Sequence, residues 1–221
     1  DAVTMTVRPG EILGLIGPNG SGKTTFLNLI SGVLRPSGGR IGCGDRDLAT
    51  LPQHRFAEAG ISRTFQNIRL FTTLTVYQNV QAAALSTGGG RDADARTRSA
   101  LDHLGLLALA DAQAGTLSYG DQRRVEIARS LVCQPSLLLL DEPAAGMNRE
   151  ETDALMAVLK GLNRDLGIGI LLVDHDLRLI NALCDRIVVL NEGRVIAEGR
   201  PEELRNNPAV IEAYLGRSST S

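Results

Sequence analysis

Gly17-Pro18-Asn19-Gly20-Ser21-Gly22-Lys23-Thr24 satisfies the pattern G-x-x-x-x-G-K-[ST]. Such a segment is suited to holding phosphate. Its glycines let the backbone approach phosphate oxygens, and the N–H groups of Asn19, Gly20, Ser21 and Gly22 can turn inward. Lys23 supplies a positive charge for the β- and γ-phosphates, and the Thr24 hydroxyl a ligand for Mg²⁺; Thr25 is counted in the same nucleotide-binding set. A second constellation is the apolar run Leu137–Leu140 ending in Asp141-Glu142. Carboxylates at the C-terminal end of a buried strand stand where open α/β sheets bind ligands. Asp141 fits a Mg²⁺ role, through water, and Glu142 could take a proton from an attacking water. Alone, a strand-end Asp-Glu reads as a solvated terminus or a helix N-cap; a phosphate loop in the same chain favours the catalytic reading.

Leu117-Ser118-Tyr119-Gly120-Asp121-Gln122-Arg123-Arg124-Val125 places a Ser and a Gly ahead of a helix running to about Val132. On its own terms Ser118 is a good N-cap. The segment resembles the signature motif of ATP-binding cassette ATPases, Leu-Ser-Gly-Gly-Gln, and stands one helix ahead of Asp141, in that family's order. The resemblance covers essentially the whole chain. It narrows to the ATPase subunits of branched-chain amino acid importers through Glu142–Asn148, Gln122–Arg129 and Arg205–Gly216. Three positions depart from the general pattern: Tyr119 stands for Gly, Asp121 for Gln and Asn148 for Asp.

The resemblance implies further roles. Gln66 matches the glutamine that contacts Mg²⁺ and the nucleophilic water, His175 the switch histidine near the γ-phosphate, and Asn148 the D-loop position. Glu142, His175 and Gln66 form the catalytic set; Thr24, Gln66 and Asp141 serve the metal. Ser118 and Gly120 would face an ATP held by a second ATPase subunit, either a copy or a paralogue. The family's adenine-stacking aromatic falls before Asp1. ATP and Mg²⁺ are the implied cofactors, and transmembrane permease subunits the implied partners. The expected place is peripheral, on the cytoplasmic face of the inner membrane, powering import of branched-chain or related amino acids. Two alternatives stand beside this: the ATPase of a lipid or lipopolysaccharide exporter, and a soluble cassette protein acting on chromosomes or ribosomes. The family docks its permease just after the glutamine, which makes Leu70 and Phe71 candidates for a groove; the competing reading packs Leu70, Phe71, Leu74 and Val76 inside the helical lobe.

The elements that must position these residues can be read from periodicity. Alternation over Val3–Val7 reads as a strand, and Glu11–Ile16, Leu137–Leu140, Ile168–Val173 and Ile187–Leu190 read as strands buried on both faces. Helical patterns cover Lys23–Ser31, Val76–Leu85, Asp92–Leu107, Arg149–Leu166 and Leu177–Leu183. Alternating strands and helices predict an α/β fold with a mainly parallel sheet. With the resemblance, the expected architecture is a P-loop NTPase core with an N-terminal antiparallel β portion and an inserted α-helical lobe. The core would comprise residues 1–66 and 136–221, and the lobe carrying the signature motif 67–135.

Composition removes several classes. The 221 residues carry 23 Lys plus Arg against 25 Asp plus Glu, for a net charge of −2, and only 3% are aromatic with no Trp. A chain-wide basic surface or a base-stacking platform for nucleic acid is not expected. No apolar run approaches the roughly 20 residues of a spanning helix. The start shows no basic segment followed by an apolar one, and with no initiator Met further residues are expected upstream. Cys43, Cys133 and Cys184 stand far apart, as expected of reduced thiols.

Overall fold

The computed structural model describes residues 3–64, 66–87 and 90–215. Their elements run β1 (Ile12–Ile16), α1 (Lys23–Ile30), the two-residue strands β2 (Gly42–Cys43) and β3 (Arg46–Asp47), β4 (Ile61–Arg63), α2 (Val76–Ser86), α3 (Ala93–His103), α4 (Tyr119–Leu131), β5 (Leu137–Asp141), α5 (Arg149–Leu166), β6 (Gly169–Val173), α6 (Leu177–Leu183), β7 (Arg186–Asn191), β8 (Arg194–Gly199), α7 (Pro201–Leu204) and α8 (Pro208–Leu215). One sheet has the order β4-β5-β6-β1-β7-β8. It is parallel from β4 to β7, and β8 closes it antiparallel to β7; β2 and β3 form a separate antiparallel pair.

Strand alternation divides the core into two layers. Ile12, Ile16, Leu138, Leu140, Ile170, Leu172, Ile187 and Val189 face a layer shared with α2 to α6. Leu13, Leu15, Leu139, Leu171, Val173, Val188 and Leu190 face the opposite way, towards Leu27 of α1, Leu48 and Phe56. A sheet buried on both faces explains why its central strands read as continuous apolar runs. It also sets the C-terminal ends of β1, β5 and β6 side by side, with Asp141 level with Val173.

The α/β fold, mainly parallel with an antiparallel portion, is as the sequence predicts. Val3–Val7 differs from expectation. Val3, Met5 and Val7 are half-buried on the α1 side of the sheet and Thr4 and Thr6 are exposed, yet no ladder is present. Burying one side of an extended chain is enough to produce alternation; a ladder needs a partner strand as well. Helix α3 stops at His103 rather than Leu107, because Gly105 (φ +66) turns the chain back and Leu106 donates its N–H to the Leu101 carbonyl at 2.8 Å. Helices α2, α3 and α4 pack on one another. Among the described residues, no helix is long and apolar enough to cross a membrane.

Candidate nucleotide-binding and hydrolysis site

The phosphate loop begins where β1 ends. Gly17 cannot be replaced without distortion: a Cβ there would come 2.0 Å from the Leu190 carbonyl oxygen. Gly22 (φ +103) is the left-handed N-cap of α1, whose first turn carries no acidic residue to compete with an anion. Ser21 is fully buried, and its carbonyl accepts from Gly193 N–H at 2.9 Å, which ties the loop to the β7–β8 turn. The Lys23 Nζ folds back on its own loop, donating to the carbonyls of Gly17 (2.7 Å) and Pro18 (3.0 Å).

A cavity of about 550 Å³ opens over this loop, lined by Asn19, Gly20, Gly22, Lys23, Thr24, Thr25, Glu142 and His175. Residues predicted from three distant stretches of sequence therefore meet in one place. Glu142 continues past the end of β5, donating its N–H to the Val173 carbonyl at 2.7 Å, and takes a left-handed conformation (φ +46) that costs a non-glycine residue about 1 kcal/mol or more. Its carboxylate lies between two partners: Oε2 accepts from Gln66 Nε2 at 2.7 Å, and Oε1 is 3.5 Å from His175 Nδ1. His175 is otherwise exposed, while the neighbouring Asp174 is buried, and that burial pushes its carboxyl above the usual range. Asp141 is buried at the end of β5, and its Oδ2 accepts from Arg63 Nη2 at 2.9 Å. The described residues hold no cluster of three or more metal-ligating side chains. Thr24 and Asp141 offer hard oxygen donors of the kind that suits an ion completing its shell with water and phosphate.

Ser118 and Gly120 do not line this cavity. Ser118 is the exposed N-cap of α4, its Oγ accepting from Asp121 N–H at 3.1 Å. Asn148 caps α5 reciprocally with Glu151, at 2.9 and 3.0 Å. The signature segment touches that cap: a Cβ on Gly120 would lie 3.1 Å from Glu151 Oε1, and one on Gly146 would lie 3.3 Å from the Tyr119 ring.

Sequence reasoning missed a fully buried residue, Arg123. Its guanidinium donates to the Gln66 carbonyl (2.7 Å) and to Glu126 Oε2 (2.6 Å), and lies 5.9 Å from the Tyr119 ring centre. It joins the signature helix to the backbone of Gln66. Arg63 was also missed. The partner that ties each to the site, the Gln66 carbonyl or Asp141, lies more than fifty positions away, so no local pattern marks that role.

A phosphate loop whose cavity is also lined by the strand-end Glu142, with the Ser118-capped segment outside that cavity, is an arrangement suited to nucleotide hydrolysis. The chain belongs to the ABC transporter family, which it matches over residues 1–145; residues 194–219 match a second description, branched-chain amino acid ATP-binding cassette transporter. It is 44% identical to the high-affinity branched-chain amino acid transport ATP-binding protein LivG of Salmonella typhimurium, over 98% of this chain and 91% of that one. It is 40% identical to BraF of Pseudomonas aeruginosa, described in the same words (99% and 92%), and 37% identical to the lipopolysaccharide export ATP-binding protein LptB of Escherichia coli (97% and 89%). Among solved structures, an ATP-binding cassette of an ABC transporter in its ADP conformation superposes with a TM-score of 0.87 at 30% identity, covering 98% of this chain and 92% of the other. The protein is thus a nucleotide-binding, ATP-hydrolysing subunit of an ABC transporter.

Proposed function

We propose that this subunit drives import of branched-chain or related amino acids, peripheral to the cytoplasmic face of the inner membrane and bound to permease subunits. The transported class is supported by the match of residues 194–219 and by the higher identity to LivG and BraF than to LptB. The hydrolytic reading is carried by one observation: the Glu142 carboxylate is held between Gln66 and His175 at the mouth of the phosphate-loop cavity.

In this reading residues 1–66 and 136–221 form the nucleotide-binding core, and 67–135 a helical subdomain. Lys23, held by the Gly17 and Pro18 carbonyls, presents its charge to the β- and γ-phosphates, and the backbone of Asn19 to Gly22, with Thr25, cradles the remaining oxygens. Thr24, Asp141 and Gln66 would hold Mg²⁺, which supplies neutralisation of charge on the transferred phosphoryl group. Glu142 takes the proton of the attacking water, while Gln66 and His175 fix the carboxylate. Ser118 and Gly120 complete the site of a second ATPase subunit, which accounts for their absence from the lining of their own cavity. A related cassette has been solved as a dimer with ADP and Pi (TM-score 0.75, 28% identity, 89% of this chain and 88% of that one).

Ser118→Arg tests the shared site. The variant should bind ATP as the parent does, but elute as a monomer with ATP and lose about 10²-fold or more in hydrolysis, the scale of losing one oriented donor. Loss of ATP binding by the monomer itself would refute a two-chain site.

Phe71→Asp tests the permease contact. Val76 belongs to the core and Leu70 is packed against it, but the Phe71 ring is 53% exposed beneath the Arg129 guanidinium (5.3 Å). The backbone there is braced by buried Asn79, which accepts from Phe71 N–H at 2.9 Å and donates to the Phe71 carbonyl at 3.0 Å. The fold does not need the ring, so basal ATPase should stay within about twofold. Association with the permease should weaken about 30-fold, as for a hot-spot residue, and ATP-driven uptake of labelled leucine into reconstituted vesicles should fall to background. Unfolding of the variant would return Phe71 to the core, and normal uptake would remove it from the interface.

A further inference from the structure

Asp141, which the hydrolytic scheme assigns to Mg²⁺, is already paired with an arginine to which that scheme gives no role. Arg63 and Asp141 meet at 2.9 Å with side chains only 7% and 12% exposed. The guanidinium is fixed from several sides. Its Nη1 donates to Asn28 Oδ1 (2.7 Å) and Ser31 Oγ (2.9 Å), both at the C-terminal end of α1. Ser31 in turn donates to the Leu27 carbonyl at 2.7 Å. The Arg63 carbonyl accepts from Ser130 Oγ on α4 (3.3 Å), and the next residue, Thr64, donates its N–H to the Leu139 carbonyl of β5 at 3.0 Å. Arg63 is therefore not a mobile surface charge that happens to touch a carboxylate. It is a held cation, facing one oxygen of the group proposed to serve Mg²⁺.

We infer that Arg63 acts as a resident cation for Asp141, so that the site takes a divalent metal only together with nucleotide phosphates. This deepens the proposed function and rests on its placement of Asp141. Two cations sharing one poorly solvated carboxylate repel, and burial makes that repulsion stronger than in water. The charge of Arg63 lowers the attraction of Asp141 for a bare metal ion. Triphosphate oxygens supply the negative charge that tips the balance when nucleotide arrives. Once phosphate leaves, the fixed charge of Arg63 is no longer offset and favours metal release. Arg63 is a positioning residue: it does not line the nucleotide cavity, and it acts through Asp141.

The test is metal binding without nucleotide, with Mn²⁺ as the probe and free Mn²⁺ read by electron paramagnetic resonance. Arg63→Met should bind Mn²⁺ at least about tenfold more tightly than the parent, because a neutral side chain removes the competing charge. Arg63→Lys, which keeps the charge, should match the parent. Adding Asp141→Asn to Arg63→Met should abolish the gain. A purely structural Arg63 would lower the melting temperature of Arg63→Met and create no new metal affinity. If Arg63→Met fails to fold, Arg63→Gln, whose amide can still donate to Asp141, decides in its place. Parent-like Mn²⁺ affinity in a folded neutral variant, or a gain that survives Asp141→Asn, overturns the inference. Hydrolysis by the parent protein is measured separately; its failure would count against the proposed function rather than against the role of Arg63.

Discussion

Glu142→Gln should leave ATP binding intact and slow hydrolysis by about 10²-fold or more, the usual contribution of a positioned proton acceptor. The substitution is close to isosteric. A glutamine oxygen can still accept from Gln66 Nε2, as the carboxylate does at 2.7 Å, and neither the left-handed backbone at φ +46 nor the N–H bond to Val173 involves the side chain. Only the basic oxygen is lost. The cavity keeps its shape and its hydrogen-bonding capacity, so the ATP-bound dimer should accumulate. Phosphate release would give the rate, equilibrium titration the affinity, and size-exclusion chromatography with ATP the dimer. Near-parental turnover in a variant that binds ATP normally would remove Glu142 from the role of base and leave His175 or Gln66 to be examined.

Lys23→Ala should act at an earlier step, lowering ATP affinity itself by about 10²-fold. Two charge-assisted hydrogen bonds at about 1.5 kcal/mol each give that scale. The Nζ already sits between the Gly17 and Pro18 carbonyls, so the loop's own acceptors hold it at the phosphate end of the cavity. Alanine also leaves those two carbonyls without the ammonium, so the loop should loosen even when empty. Calorimetric titration with ATP would measure the loss. Unchanged affinity would contradict the placement of Lys23 against the phosphates.

The contrast between these two residues and the buried arginines shows what the sequence could reveal. Lys23 and Glu142 each belong to a local pattern set by the backbone: a loop that must wrap phosphate, and a strand that must end at the ligand edge. Strands β1, β5, β6 and β7 were legible because burial on both faces leaves an unbroken apolar run. Strand β4 was not: it is three residues long, and Ser62 and Arg63 break the run. Its arginine is accommodated there by Asp141, 78 positions away, which supplies the opposite charge, and by Asn28 and Ser31. Strand β8 is half-exposed along its length and blends with polar surface sequence. Arg123 reads as a helix-surface residue until the Gln66 carbonyl is brought to it by the fold. At Phe71, periodicity could not separate an exposed ring from a core one, since its neighbours Leu70 and Val76 do pack inward.

The place of β1 in the sheet has a consequence for biosynthesis. The strand that launches the phosphate loop has ladder partners far along the sequence: Ile12 pairs with Ile170, Leu13 with Arg186, and the Ile12 N–H is held by Asp185, 173 positions on. At about 5–20 residues per second, a ribosome takes roughly 10–35 s to deliver those partners. Throughout that interval the wholly apolar Ile12–Ile16 emerges with both edges open, the form of nascent segment most prone to pair with a neighbouring chain. Nucleotide cannot shelter it, because the cavity does not exist until Glu142 and His175 have been translated. The nascent subunit therefore cannot close the sheet around β1, or bind its first ATP, until those distant residues have been made.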